Sequence, residues 1–263
     1  MFFKESDVDF SRYASQWTTA LVSSFADRDT EVVQSAIQAI AAMTSKLPPE
    51  EQEVCVYSTR QAVLSVSTEG HDLPGFTQPG GVTSVLNIYL AGLKRSSAEE
   101  AANGMAELVM RTNLASLKPV TVQMIGALIR AIGERHPSAG KSAILHALAT
   151  ILQKAPLLAK PFIPQLQRTA IKNLSDQTSG DIRNQAAVVL AALIPMQPRV
   201  DPLVSELVTA ANNSFDDGAK SAVVKALSEV FLKAGKAVGD APKVLVTELI
   251  HRVLQDGRGI ASS

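Results

Sequence analysis

Apolar residues along this chain recur at helical spacing, in blocks separated by short polar or proline-containing breaks. In KPFIPQLQRTAIKNLSD (160–176), Phe162, Leu166, Ala170 and Leu174 fall on one stripe, which predicts an amphipathic helix. Pro161 stands in its first turn, where a missing N–H leaves no hydrogen bond unmade. After QTSG (177–180), DIRNQAAVVLAALI (181–194) turns Ile182, Ala186, Leu190 and Leu193 inward, with Asp181 as the expected N-cap. Two helices joined in this way form a hairpin that cannot bury its apolar stripe alone. The unit repeats: Pro79, Pro119, Pro161, Pro202 and Pro242 recur at steps of 40, 42, 41 and 40 residues, each at or just before an apolar-periodic run.

Small residues four apart recur in the second helices, as Ala102/Ala106, Ala143/Ala147, Ala187/Ala191 and Ala222/Ala226. Residues at i and i+4 share a face, so such pairs let neighbouring helices approach closely. The period of about 40 residues, with no strand-like alternation, is that of a helical solenoid. The spacing Leu-x-Asp, Ile-Arg-x-x-Ala-Ala and Leu-x-x-Leu across 174–193 resembles the HEAT repeat. The expected fold is therefore all-α: a HEAT-repeat α-solenoid, a right-handed superhelix of antiparallel helix pairs, of about a dozen helices.

Along the chain, 1–67 reads as N-terminal HEAT-like helices, 68–81 as an irregular loop, 82–256 as a regular array and 257–263 as a disordered tail. The first hairpin pairs helices over 10–26 and 29–45, and the spacing of Trp17, Leu21 and Phe25 assigns Trp17 to the core. A further helix starts at Pro48-Pro49. The loop TEGHDLPGFTQPGG (68–81) is rich in proline and glycine; it is either functional or pinned over an irregular junction by Leu73 and Phe76. In the array, Ser97 and Glu100 match a capping box. Neither end of the chain has a polar-faced closing helix, so a fragment of a longer solenoid is expected.

Composition narrows the function. Apolar residues make up 46% and aromatics 5%, which suits stacked Leu/Ala/Val helices and not a base-stacking platform. The single cysteine, Cys55, excludes an intrachain disulfide and reads as a small buried hydrophobe. His71, His136, His146 and His251 have no metal-ligand spacing, and neither a P-loop nor a Gly-x-Ser-x-Gly elbow occurs. No catalysis, metal, cofactor or small-molecule substrate is expected. The charged N-terminus is not a signal peptide, and the longest apolar run (186–196) is too short to span a bilayer, so the expectation is a cytoplasmic chain without membrane contact.

Charge is more telling. Net charge is zero, yet 1–110 holds 7 bases and 14 acids, 111–183 holds 10 and 3, and 184–263 holds 8 of each. A basic central block points to an acidic partner, against the alternative of accidental clustering on a solvated surface. Aligned on the repeat prolines, Arg130 and Lys172 both lie 11 residues on, with Arg168 one turn before Lys172. These are candidate partner-binding residues on successive first helices. Arg183, in the Ile-Arg-x-x-Ala position, is the fourth. In HEAT repeats that position serves a structural ladder, with Asp176 or Asp181 as partner, so its role is structural, functional or both.

Three stretches go beyond a generic array: LPGFTQPGGVTSVL (73–86), KPFIPQLQRTAIKNLSD (160–176) and QPRVDPLVSELVTAA (197–211). Together they resemble the C-terminal part of the general control non-derepressible translational activator family, over Leu73 to Asp256. These are long HEAT scaffolds that sit on stalled ribosomes and activate the kinase of translation initiation factor two alpha. The resemblance implies a segment that docks the kinase's RWD domain, with other RWD-domain proteins as further candidates and ribosome contacts made by other parts of the full-length protein. It would serve the amino-acid starvation response. Arginine suits that role because its guanidinium fork binds carboxylates bidentately; Arg183 leads because it opens a second helix at the inter-repeat edge, followed by Arg168, Lys172 and Arg130. The competing readings are a ribosome- or RNA-contacting scaffold and a passive spacer.

Overall fold

A computed structural model describes residues 11–66, 72–197, 199–213 and 216–260. Among them there is no strand. The chain divides into two compact units, Met1–Ala159 and Lys160–Ser263, with the boundary inside the stretch read as one array.

The first unit holds α1 (Ala14–Ser23), α2 (Thr30–Lys46), α3 (Pro49–Val66), α4 (Pro74–Thr77), α5 (Gly81–Gly92), α6 (Ala98–Met110), α7 (Leu114–Leu117), α8 (Thr121–Ala131), α9 (Ser138–Lys154) and α10 (Pro156–Ala159). Its spine is the stack of α1 on α3, α3 on α5 and α6, and α6 on α9. Small side chains explain the close approach of α6 and α9: Ala102, Ala106, Ala143 and Ala147 are all buried. The same holds for α1, whose main partner is α3 and not α2, the helix that follows it and was expected to pair with it. The inward stripe of α1 is Ala14, Thr18 and Val22, and Ser15 Oγ lies 2.5 Å from Ser58 Oγ on α3.

That stripe is one residue round from Trp17. Trp17 is therefore 39% exposed instead of filling the core, while a 3-10 turn at Ser24–Ala26 brings Phe25 round to full burial. Phe25 meets Phe76 of α4 edge-on, ring centroids 6.0 Å apart. Within the stretch read as an irregular loop, Leu73 and Phe76 are buried and Pro74–Thr77 forms one helical turn; 68–71 lie outside the described residues. Gly80 then takes φ 81°, a left-handed conformation that glycine adopts without steric cost, and α5 begins.

The expected capping box at α6 does not form. Glu100 Oε2 instead accepts from Arg60 Nη1 of α3 at 2.6 Å, and Glu107 accepts from Arg60 Nη2 at 2.8 Å. Glu53, also on α3, takes over the cap: its Oε1 accepts from the Ser97 N–H at 3.0 Å and from the Ser96 hydroxyl. These bonds, with the Ser96 hydroxyl foremost, hold the Glu53 carboxyl below the usual carboxylate range. The Glu107 hydrogen bonds, ahead of that from Glu100, raise the Arg60 pKa further. An acid–base–acid bridge thus locks α3 to α6.

The second unit holds α11 (Ile163–Leu174), α12 (Gly180–Leu193), α13 (Asp201–Asn213), α14 (Asp217–Ala234) and α15 (Asp240–Ile260). Helix α11 packs on α12, α12 on α14, and α13 on α14 and α15. Helix α15 continues through 257–260, part of the stretch read as a tail, and 261–263 lie outside the described residues. Leu166, Ala170 and Leu174 of α11 and Ile182, Ala186, Leu190 and Leu193 of α12 are buried, whereas Phe162, expected to head the first stripe, sits in a 3-10 turn before α11 and is half-buried. The N-cap of α12 is Ser179, whose side chain accepts from the Ile182 N–H, and not Asp181, which lies in the first turn. The repeat prolines fall in two registers: Pro79, Pro119 and Pro161 precede their helices by two residues, whereas Pro202 and Pro242 lie inside the first turns of theirs.

Candidate docking surface

Burying Leu166, Ala170 and Leu174 leaves the opposite face of α11 to solvent, and Arg168 and Lys172 stand there one turn apart. With Ile171, and Ser205, Glu206 and Thr209 of α13, they line an open groove of about 600 Å³. Neither cation forms a hydrogen bond or ion pair within the chain among the described residues. The acid that shares the groove is committed elsewhere. Glu206 Oε2 accepts from Gln167 Nε2 at 2.7 Å, and Gln167 Oε1 accepts from Gln197 at 2.8 Å. The hydroxyls of Ser205 and Thr209 bond back to their own helix, at 3.1 and 2.9 Å. The groove therefore presents two unneutralised cations on a rigid helix pair, chemistry suited to a carboxylate-bearing partner.

The Gln197–Gln167–Glu206 chain was not foreseen. Its one sequence signal is that Gln167 and Glu206 lie 39 residues apart, close to the repeat step.

Arg183 is placed differently. It is half-buried at the start of α12, and its Nη1 donates to the Asp176 carbonyl at 2.7 Å. The Asp176 carboxylate meanwhile closes the α11–α12 turn, accepting from Thr178 N at 2.8 Å and Ser179 N at 3.0 Å. On its other side the guanidinium lies against Gly218 of α14: a Cβ there would come 2.7 Å from Arg183 Nη2 and 3.1 Å from Asp216 Oδ2. Arg183 thus joins one inter-helix turn to the next hairpin, a ladder contact.

Arg130 belongs to the first unit, whereas Arg168, Lys172 and Arg183 belong to the second. It is exposed and borders a separate groove of about 460 Å³ with Lys94, Gln123, Ala127 and Glu134.

Cys55 is fully buried, its thiol pushed up in pKa by burial, with Sγ donating weakly to the Glu51 carbonyl at 3.6 Å. Among the described residues, no three of His, Cys, Asp and Glu are grouped to hold a metal ion, and no single helix is long and apolar enough to cross a membrane.

Helix pairs recurring about every 40 residues, close-packed through small residues in the first unit and tied by the Arg183 contact in the second, define a HEAT-type helical scaffold. A family model described as "Stalled ribosome sensor GCN1-like, HEAT repeats" matches residues 1–80, the part not covered by the three distinctive stretches except at 73–80. The chain belongs to this GCN1-like HEAT-repeat family. It is 40% identical over 253 residues to the "eIF-2-alpha kinase activator GCN1" of Saccharomyces cerevisiae, covering 95% of the chain and 10% of that protein. It is 34% identical over 264 residues to "Protein ILITYHIA" of Arabidopsis thaliana (96% and 10%) and 32% over 260 residues to "Stalled ribosome sensor GCN1" of Mus musculus (97% and 10%). The chain spans about a tenth of the length of these curated relatives. A solved chain described under "Computational Design of Self-Assembling Cyclic Protein Homooligomers" matches with 12% identity and a TM-score of 0.21, covering 94% of this chain and 92% of that one; nothing rests on it.

Proposed function

We propose that this segment is a non-enzymatic docking scaffold for the RWD domain of the initiation-factor-2-alpha kinase. It would act in the cytoplasm, as the handle through which a ribosome-bound activator holds the kinase in the amino-acid starvation response. The observation that carries this reading is the pair Arg168 and Lys172: exposed, one turn apart, and unneutralised beside an open groove. Arg183 supports the surface by fixing the turn at its end and contributes its remaining guanidinium protons to an acidic partner. Arg130 is a candidate contact on the first unit by itself. Other RWD-domain proteins would compete for the same residues, and ribosome contacts belong to other parts of the full-length protein.

The test is titration of the purified RWD domain onto the parent and onto Arg168→Glu and Lys172→Glu. Each substitution is solvent-facing and should change stability by about 0.5 kcal/mol or less. Affinity should fall by about 2–5 kcal/mol where the pair is buried in the complex, and by less at a rim. Parental affinity in both variants would remove the α11 face from the docking surface.

A second reading, contact with ribosomal RNA, draws on the name of the mouse relative and on the same cations. It predicts a log–log salt slope of about −0.7 to −0.9 per phosphate neutralised, steeper than an apolar-centred protein interface would give. A segment that binds neither partner would be a spacer.

A further inference from the structure

In the first unit, α7, α10 and the end of α9 enclose a groove of about 470 Å³. Its walls are aliphatic, and two leucines project from it: Leu114 is 53% exposed and Leu157 71%. They occupy the one-turn helices of successive repeats, 43 positions apart, so the feature is built twice and not by one stray side chain. Local structure holds both leucines in place. Asn113 caps α7 by accepting from the Ser116 N–H at 2.9 Å, which leaves Leu114 as its first residue, and Ala155 and Ala159 anchor α10 in the core. Lys154 at the groove's edge is held to the end of α6, its Nζ donating to the carbonyl of Met110, itself 60% exposed, at 3.3 Å.

The rim is cationic. Lys118 and Lys154 border the cleft; Lys118 has no partner within the chain among the described residues, and Lys154 spends one proton on the Met110 carbonyl. No Asp or Glu occurs from 108 to 133 or from 135 to 175, so no carboxylate on α7, α8, α9 or α10 neutralises them. Exposed leucines over a concave aliphatic floor, flanked by the Lys118 and Lys154 ammonium groups, match the apolar centre and polar rim of a protein interface. We propose that this groove receives an acidic amphipathic helix of a partner protein. Its apolar side chains would cover Leu114 and Leu157, and its flanking carboxylates would reach Lys118 and Lys154. The site is built from first-unit residues alone and does not depend on RWD docking at α11.

A fluorescein-labelled synthetic helix with leucines at i, i+3, i+4 and i+7 and glutamates elsewhere is the probe, read by anisotropy against the full chain. Saturable binding is expected, weakened about tenfold or more by Leu157→Gln and by Lys118→Glu, and about tenfold when glutamines replace the probe's glutamates. Arg168→Glu should bind the probe like the parent. Amide exchange should slow at 114–118 and 154–158 on binding. Absence of saturation, parental binding in both groove variants, protection mapped elsewhere, or binding only to phosphatidylserine vesicles and not to the peptide would each overturn the proposal.

Discussion

The ladder role of Arg183 yields a prediction that can be worked through from the contacts. Replacing it with alanine removes a charge-assisted bond of 2.7 Å to the Asp176 carbonyl and the head group resting against Gly218 and Asp216. Hydrogen bonds from charged groups contribute about 1.5–3 kcal/mol. Arg183 is half-exposed, so the lower part of that range applies, about 2 kcal/mol. For a cooperative unit the size of the second one this corresponds to a fall of about 8–16 °C in Tm. Gly218→Ala supplies the cross-check. Alanine normally stabilises a helix over glycine by up to about 1 kcal/mol, yet here its Cβ would come 2.7 Å from Nη2, so the guanidinium must leave its place. Gly218→Ala alone should therefore destabilise by about 1 kcal/mol, and in the Arg183→Ala background it should be neutral or stabilising. Urea denaturation followed by circular dichroism on the four proteins gives the interaction energy. Strict additivity, or an Arg183→Ala variant that unfolds like the parent, would refute the ladder.

Three further outcomes test the first unit. Glu107→Gln leaves Arg60 with Glu100 as its carboxylate partner there and should cost about 1–3 kcal/mol in urea unfolding; no change would mean that the Glu107 charge contributes nothing to the bridge between α3 and α6. The folded Glu53 carboxyl lies below its ordinary value, so its cap stabilises fully above the usual carboxylate range and is lost as pH falls beneath it. Glu53→Gln should flatten the acid limb of stability against pH, and an unchanged limb would contradict the cap. Cys55 should resist iodoacetamide in the native protein and react on unfolding, because its thiol is buried and its pKa raised; fast native labelling, read by mass spectrometry, would contradict its burial.

What the sequence determined by itself is what depends on near neighbours in the chain. The stripe Leu166, Ala170, Leu174 and the small pairs Ala102/Ala106 and Ala143/Ala147 express helical periodicity and are realised with that face inward, whereas Ala187, Ala191 and Ala222 of the other two pairs are only half-buried. The exposure of Arg168 and Lys172 follows from the same periodicity, since the face opposite a buried stripe is left to solvent. Tertiary structure decided which partner each polar group meets. Ser97 and Glu100 have capping-box spacing, but Arg60, 40 residues away, binds Glu100, and Glu53, 44 residues from Ser97, caps in its place. A local hydrogen bond is worth about as much as a distant one, so the stack that brings α3 beside α6 chooses between them. Trp17 shows the same division: spacing put it on a stripe with Leu21 and Phe25, but only the packing of α1 on α3 determined that the inward stripe is one residue further round. Periodicity states which residues share a face, and it is silent on which face the rest of the chain covers.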